Sequence, residues 1–152
     1  MYLKQGIRLL EEIVGNGLVA EQGDHVIYNL RIYLNNGEEF PINDLNDILR
    51  KNFKKFYPEI FTEEEGFEFI NFNARLGQSD AIAGVRYSLY GMREGGYRKV
   101  KVSPHFAFRE QGIPDKIPPN AIIIFKIWLR KIKNKKIRKQ TLSEQGPGIA
   151  TP

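Results

Sequence analysis

The stretch GIPDKIPPNAIIIFKI, residues 112–127, sets three prolines immediately ahead of the most apolar run in the chain. Proline fixes φ near −65° and removes a backbone donor, so the first half is stiff and cannot extend a sheet ladder. The second half alternates and continues to do so: Ile123, Phe125, Ile127 and Leu129 share one side, Lys126, Trp128 and Arg130 the other. That is the pattern of a strand with one buried face. The prolines close a loop of eighteen residues, PHFAFREQGIPDKIPPNA. It is longer than an ordinary connection, and loops of that length are usually functional.

Working outward, REGGYRKVKVS has period two, with Arg98, Val100 and Val102 on one side. IRLLEEIV, HVIYNLRIYL before the NNG turn, and FEFINFNARL also read as strands, with TEEEG as a loop. Between them, from Asn43 onward, Leu45, Ile48, Leu49, Phe53, Phe56 and Ile60 recur at helical spacing, with Asn43 or Asp44 as the N-cap and Pro58 near the stop. The basic pairs at 50–51 and 54–55 form that helix's polar side, read as solvated. SDAIAGVRYSLYGM predicts a second, short helix capped by Ser79 or Asp80 and weakened at Gly91. The sum is an α+β domain: a mostly antiparallel sheet, one short helix laid on it, one extra helix and a proline-stiffened loop.

With 152 residues and 41% apolar content, the chain has enough apolar side chain for one core. No window approaches the ~18 apolar residues of a membrane-spanning helix, and the start MYLKQGIRLL lacks a signal-peptide pattern, so a cytoplasmic protein is expected. Cysteine is absent, which excludes disulfides, thiolate nucleophiles and zinc-thiolate sites. His25 and His105 have no ligand-like spacing, so no metal is expected. The net charge of +5 is uneven: positions 126–152 carry eight Lys or Arg and one Glu, net +7, leaving −2 for the first 125 residues. Residues 133–152 read as a basic, disordered tail that could contact nucleic acid or an anionic surface. No Gly-rich phosphate loop and no Ser-His-Asp set is present.

The order of landmarks resembles the FKBP-type peptidyl-prolyl isomerases. GNG followed by QGDHVIYNLRIYLNNGEEF, then LGQSDAIAG, YGMREGGYRKVKVSP, FAF and KIPPNAIIIFKIWL stand where that family has its corresponding turns, strands and helix cap. The match runs over residues 6–132, as one FKBP-like domain of residues 1–132, interrupted by an insertion at about 41–70, after the second major strand. The resemblance implies a bent five-stranded antiparallel sheet wrapped on a short helix, with an apolar pocket that takes a proline ring. It needs no cofactor.

Carried over position by position, the resemblance puts Phe40, Phe72, Ile82 and Phe125 on the pocket wall, with the backbone N–H of Ile82 as donor to a substrate carbonyl. Ile117 coincides with a loop residue that closes over the ligand, and Phe106 with its aromatic neighbour. Other positions depart: Leu30 and Phe108 replace tyrosines, Pro41 an aspartate, Val85 the tryptophan floor and Ala81 a valine. A register shift of two would bring Tyr28 toward the place of Leu30. Two functions stay open: a prolyl isomerase assisting folding, with weakened activity, or a non-catalytic module binding proline-containing chains or a protein partner through the pocket, the inserted helix, or both.

Overall fold

The computed structural model describes residues 1–44, 47–78 and 80–133. In chain order the elements are β1 (Tyr2–Lys4), β2 (Ile7–Ile13), β3 (His25–Leu34), β4 (Glu39–Phe40), α1 (Asp47–Phe56), β5 (Phe61–Glu64), β6 (Phe67–Ile70), β7 (Phe72–Arg75), α2 (Ala83–Leu89), β8 (Tyr97–Val102) and β9 (Ile123–Lys133). The main sheet is antiparallel in the order β1-β2-β8-β9-β3-β4, with β7 also pairing β3. Seven segments therefore stand where five strands were expected. β1 is an added edge that folds back at Gly6, whose φ of +93° suits glycine. β4 and β7 pair with opposite ends of β3, residues 32–33 and 25–28, so the chain between them leaves the sheet and returns to it.

β3 and β9 form the longest ladder, from His25↔Lys133 to Leu34↔Ile123. Between Ile27↔Lys131 and Tyr28↔Leu129 the register shifts and Arg130 faces no partner, a bulge that returns Ile132 to the buried face. Val26, Tyr28, Leu30 and Ile32 of β3, Val100 and Val102 of β8, and Ile123, Phe125, Ile127 and Leu129 of β9 form one apolar face. α2 covers it with Val85 and Leu89, both fully buried. Burial of this kind stabilises by about 1.5–3 kcal/mol per side chain. Gly84 sets the approach of α2: a Cβ there would meet Val102 Cγ1 at 2.7 Å and the Phe106 carbonyl at 2.9 Å.

The other face of the sheet carries the β5–β6 hairpin. Phe69 is 3% exposed and packs on Trp128 with ring centroids 4.7 Å apart. Asn29, a polar residue in mid-strand, is fully buried because it has partners: its Nδ2 donates to Ile70 O (3.1 Å) and Asn71 Oδ1 (2.7 Å), and its Oδ1 accepts from Arg130 Nε (2.5 Å). Residues 62–64, expected within a loop, thus belong to strand β5, and the turn is confined to Glu65 and Gly66, both at positive φ. The single strand expected over FEFINFNARL breaks at Asn71, whose N–H and side chain bond back to Ile60 and Glu59.

Both helix caps differ from expectation. α1 starts at Asp47, and Asn43 instead donates to Leu30 O (2.8 Å) and accepts from Ile70 N–H (2.9 Å), pinning the excursion to the sheet. α2 is preceded by Ile82 without a side-chain cap, and Asp80 accepts from Arg75 N–H at 3.0 Å. Charge, not apolar contact, is what the described side chains of α1 show toward β6. Arg50 and Lys54 pair with Glu68 of β6, while Ile48 and Phe56 are 73% and 64% exposed. Leu45 and Ser79 lie outside the described residues, as does the tail from residue 134; Lys133 belongs to β9.

Candidate functional site

The face of the sheet covered by α2 gathers most of the residues singled out from the sequence. Phe40 pairs with Ile32 on one side and Phe125 with Ile32 on the other, so the two rings share one row, two strand spacings (about 10 Å) apart. Phe125 is fully buried and forms the floor of that row, whereas Phe40 is half-buried at its rim. One strand-end away, Tyr28 stands across from Phe72 and their rings stack at 5.8 Å.

Tyr28, not Leu30, is therefore the β3 residue beside Phe72. Leu30 points to the same face, 5% exposed, opposite Ile127. The period-two pattern cannot distinguish these registers, because a shift of two preserves every side chain's face. Burial, and secondarily the charge of Asp80, push the Tyr28 phenol up to about 12. It remains a neutral hydroxyl throughout the physiological range.

The N-terminal end of α2 supplies the third wall. Ile82 has φ −54° and ψ 134°, and its carbonyl accepts from Val85 and Arg86 N–H at 2.9 Å each. As the residue before the helix, it holds its own N–H outside the helical ladder. Ala81, Ile82 and Phe108 are half-buried against the core, and Val85 is fully buried beneath them.

The proline loop is held by its own backbone. Ile113 and Ile117 exchange N–H···O bonds of 2.8 Å, Gly112 N–H donates to Phe108 O at 3.0 Å, and Asn120 N–H to Arg109 O at 2.8 Å. Gly112 sits at φ +58°, and a Cβ there would lie 2.2 Å from Ile117 O. The fold thereby tucks Ile117 into the core at 2% exposure rather than leaving it to overhang. Its neighbours Asp115 and Lys116 line a cavity of about 160 Å³ together with Leu34, Glu38, Glu39, Phe40 and Pro41. The loop and the β3–β4 turn thus meet at the Phe40 rim.

Phe106 goes elsewhere. Its ring contacts Tyr87 (5.7 Å, edge-on) and His105 (4.1 Å) and lies over Gly6, away from the Phe40 row. Pro41 is exposed and offers no side-chain hydrogen bond. The site has apolar walls, one phenol and, at Ile82, a backbone N–H outside the helical ladder; among the described residues it has no nucleophile and no acid–base pair. Among the described residues no group of His, Asp or Glu could hold a metal ion, and no helix is long and apolar enough to cross a membrane.

Apolar side chains gathered in this way can act on a bond whose barrier is conformational. The comparisons agree with that chemistry. The family model for FKBP-type peptidyl-prolyl cis-trans isomerase matches residues 17–130. The chain is 30% identical over 129 residues to "FK506-binding protein 4" of Chaetomium thermophilum, covering 85% of this chain and 22% of that protein. It is 28% identical over 128 residues to the "39 kDa FK506-binding nuclear protein" of Drosophila melanogaster, covering 84% and 29%. A "46 kDa FK506-binding nuclear protein" of Spodoptera frugiperda matches at 30% over 128 residues, covering 84% and 26%. The chain spans about a quarter of the length of these curated relatives. From the family-model match over residues 17–130 and the identity to these relatives, the chain belongs to the FKBP-type peptidyl-prolyl cis-trans isomerase family.

Proposed function

We propose that this domain catalyses cis–trans isomerisation of X–Pro bonds in polypeptide chains, with the proline ring held between Phe40, Phe72, Ile82, Val85, Phe108, Ile117 and Phe125. The observation that carries the reading is the Phe40–Ile32–Phe125 row beside the Tyr28–Phe72 stack, under the start of α2. Rotation about the amide costs about 18–20 kcal/mol because resonance makes the C–N bond partly double. The twisted transition state loses that charge separation. A water-poor apolar pocket favours it over the polar planar amide, and binding energy from flanking residues drives the distortion. No proton transfer is required, so the lack of an acid–base pair is consistent with catalysis.

In this reading the tyrosine of the pocket is retained as Tyr28, and the hydroxyl replaced at Phe108 and the carboxylate replaced by Pro41 are the losses. The functional unit is residues 1–132, with 41–70 as an insertion relative to the family. Alongside a cytoplasmic location a nuclear one is proposed, since two relatives are named nuclear proteins. The test is isomerisation of X–Pro peptides that differ in X. Wild type should exceed the uncatalysed rate, and Phe40→Ala should lower kcat/KM about tenfold with little loss of stability, because Phe40 is half-buried. No acceleration for any X would overturn it.

A second reading is a non-catalytic module that binds proline-containing chains or a protein partner. Val85 in place of an indole floor, together with the exposed Ile48 and Phe56 of α1, supports it. Saturable binding of an X–Pro peptide without faster isomerisation would select this alternative.

A further inference from the structure

The outer face of the sheet, beside the β5–β6 hairpin, concentrates cations. Register places Arg8 of β2 opposite Lys101 of β8, Lys99 of β8 opposite Lys126 of β9, and Lys126 opposite Arg31 of β3. Side chains directly opposed across an antiparallel pair are about 4.5–5.5 Å apart at Cβ, and like charges so placed are destabilising. Two carboxylates answer these five cations: Glu11, 3.8 Å from Lys99, and Glu39, which accepts from Arg31 at 2.6 Å. Among the described residues Arg8, Lys101 and Lys126 have no ion pair.

Aromatic rings border the cluster, and the one between two of its cations is Tyr33, with Lys126 and Arg31 beside it. Tyr33 lies on the same face of β3, beside Ile124, half-buried, with the Lys126 ammonium 5.1 Å from its centroid. The hairpin forms a wall on one side, where Phe67 packs under the Arg31 guanidinium at 4.2 Å. In sequence, β9 leads straight into the basic run KNKKIRKQ.

We propose that this face binds the phosphodiester backbone of single-stranded nucleic acid, with a base stacked on Tyr33. Opposed ammonium groups lose their mutual repulsion when a polyanion lies across them, and lysine pairs with phosphate as a point charge without demanding fixed geometry. Stacking on an aromatic side chain beside such a basic surface is how strands are held without sequence readout. An acidic polypeptide would satisfy the charges but would have no use for the ring. The site is on the opposite side of the sheet from the proline pocket, so the two functions are separable.

The test is anisotropy of labelled oligo(dT) and oligo(U) with the full chain over a salt series. Wild type should bind, and Lys99→Gln/Lys101→Gln/Lys126→Gln should bind at least tenfold more weakly, its log–log salt slope shallower by about 2, or about 0.7 per cation. Tyr33→Leu should lose about fivefold. A control with the same charge change elsewhere, Lys51→Gln/Lys55→Gln/Lys116→Gln, should keep affinity within about twofold. Thermal melting checks the fold; if the triple variant melts lower than wild type, Lys126→Gln alone makes the comparison. The proposal is overturned by absence of binding at low salt, by equal losses in the two triple variants, or by dependence on Lys135, Lys136 and Lys139 alone. Competition by polyglutamate equal to that by oligonucleotide, with Tyr33→Leu silent, would assign the face to an acidic polypeptide instead.

Discussion

The two α-helices among the described residues are both amphipathic in sequence and are held to the sheet differently. α2 turns Gly84, Val85, Ser88 and Leu89 toward the apolar face of the sheet, so tightly that Gly84 has no room for a Cβ. α1 is tethered by charge: Arg50 and Lys54 reach Glu68, Arg50 Nη2 also donates to Asn43 O at 2.8 Å, and Ile48 and Phe56 are exposed. Apolar periodicity establishes that a helix can form. It does not say which face finds a surface, because that depends on what the rest of the fold leaves uncovered, and here Phe69 and Trp128 have already sealed the hairpin against the sheet.

The largest effect should separate the helices by stability. Leu89→Ala removes a fully buried side chain and should cost about 3 kcal/mol in urea denaturation, whereas Ile48→Ala should stay within about 0.5 kcal/mol. Equal losses would mean that α1 has an apolar partner after all. A middle-sized effect should separate them by function. Phe108→Tyr restores a hydroxyl near the start of α2 and should tighten X–Pro peptide binding about two- to tenfold, the worth of one hydrogen bond; isothermal titration reads it. Paired substitutions at Lys51 and Lys55 should leave peptide binding unchanged.

The smallest effect concerns how α1 is attached. Burial alone would raise the Glu68 carboxyl, but hydrogen bonds from Lys54 and Arg50 outweigh it and hold its pKa below the ordinary value of 4.5. A lowered folded pKa contributes stability that is present above the unfolded value and is lost as pH falls through the folded one. Hydrogen exchange in α1 should accordingly be pH-independent in its protection near neutrality and lose protection only below about pH 4.5. Glu68→Gln should abolish that acid transition and lower α1 protection by about 1 kcal/mol or less, with no change in α2.

Several positions of the candidate site could be named before the fold, as members of one apolar face. Phe40, Phe72, Ile82 and Phe125 are recoverable from landmark order, and in the structure they pack against the apolar face that α2 covers. Tyr28 was ambiguous with Leu30 because both lie on the same side of β3, and only pairing with Phe72 across β7 separates them. Phe106 could not be placed from FAF alone. Its direction follows from the turn at Pro104–Phe106, which aims it at Tyr87 and Gly6. Ile117 was expected to overhang, but the Ile113–Ile117 backbone pair folds it into the core.

Alternation in HVIYNLRIYL and IIFKIWLRKI, the prolines of the loop and the glycine at 112 determine locally which strands form, which of their faces is apolar and where the chain must turn tightly. These are properties of a few neighbouring residues and survive in any context. Strand order, the choice of Tyr28 over Leu30, the tethering of α1 by charge and the crowding of Lys99, Lys101 and Lys126 on one outer face depend on residues far apart in the chain. They were decided only when the sheet closed and each face acquired its neighbours.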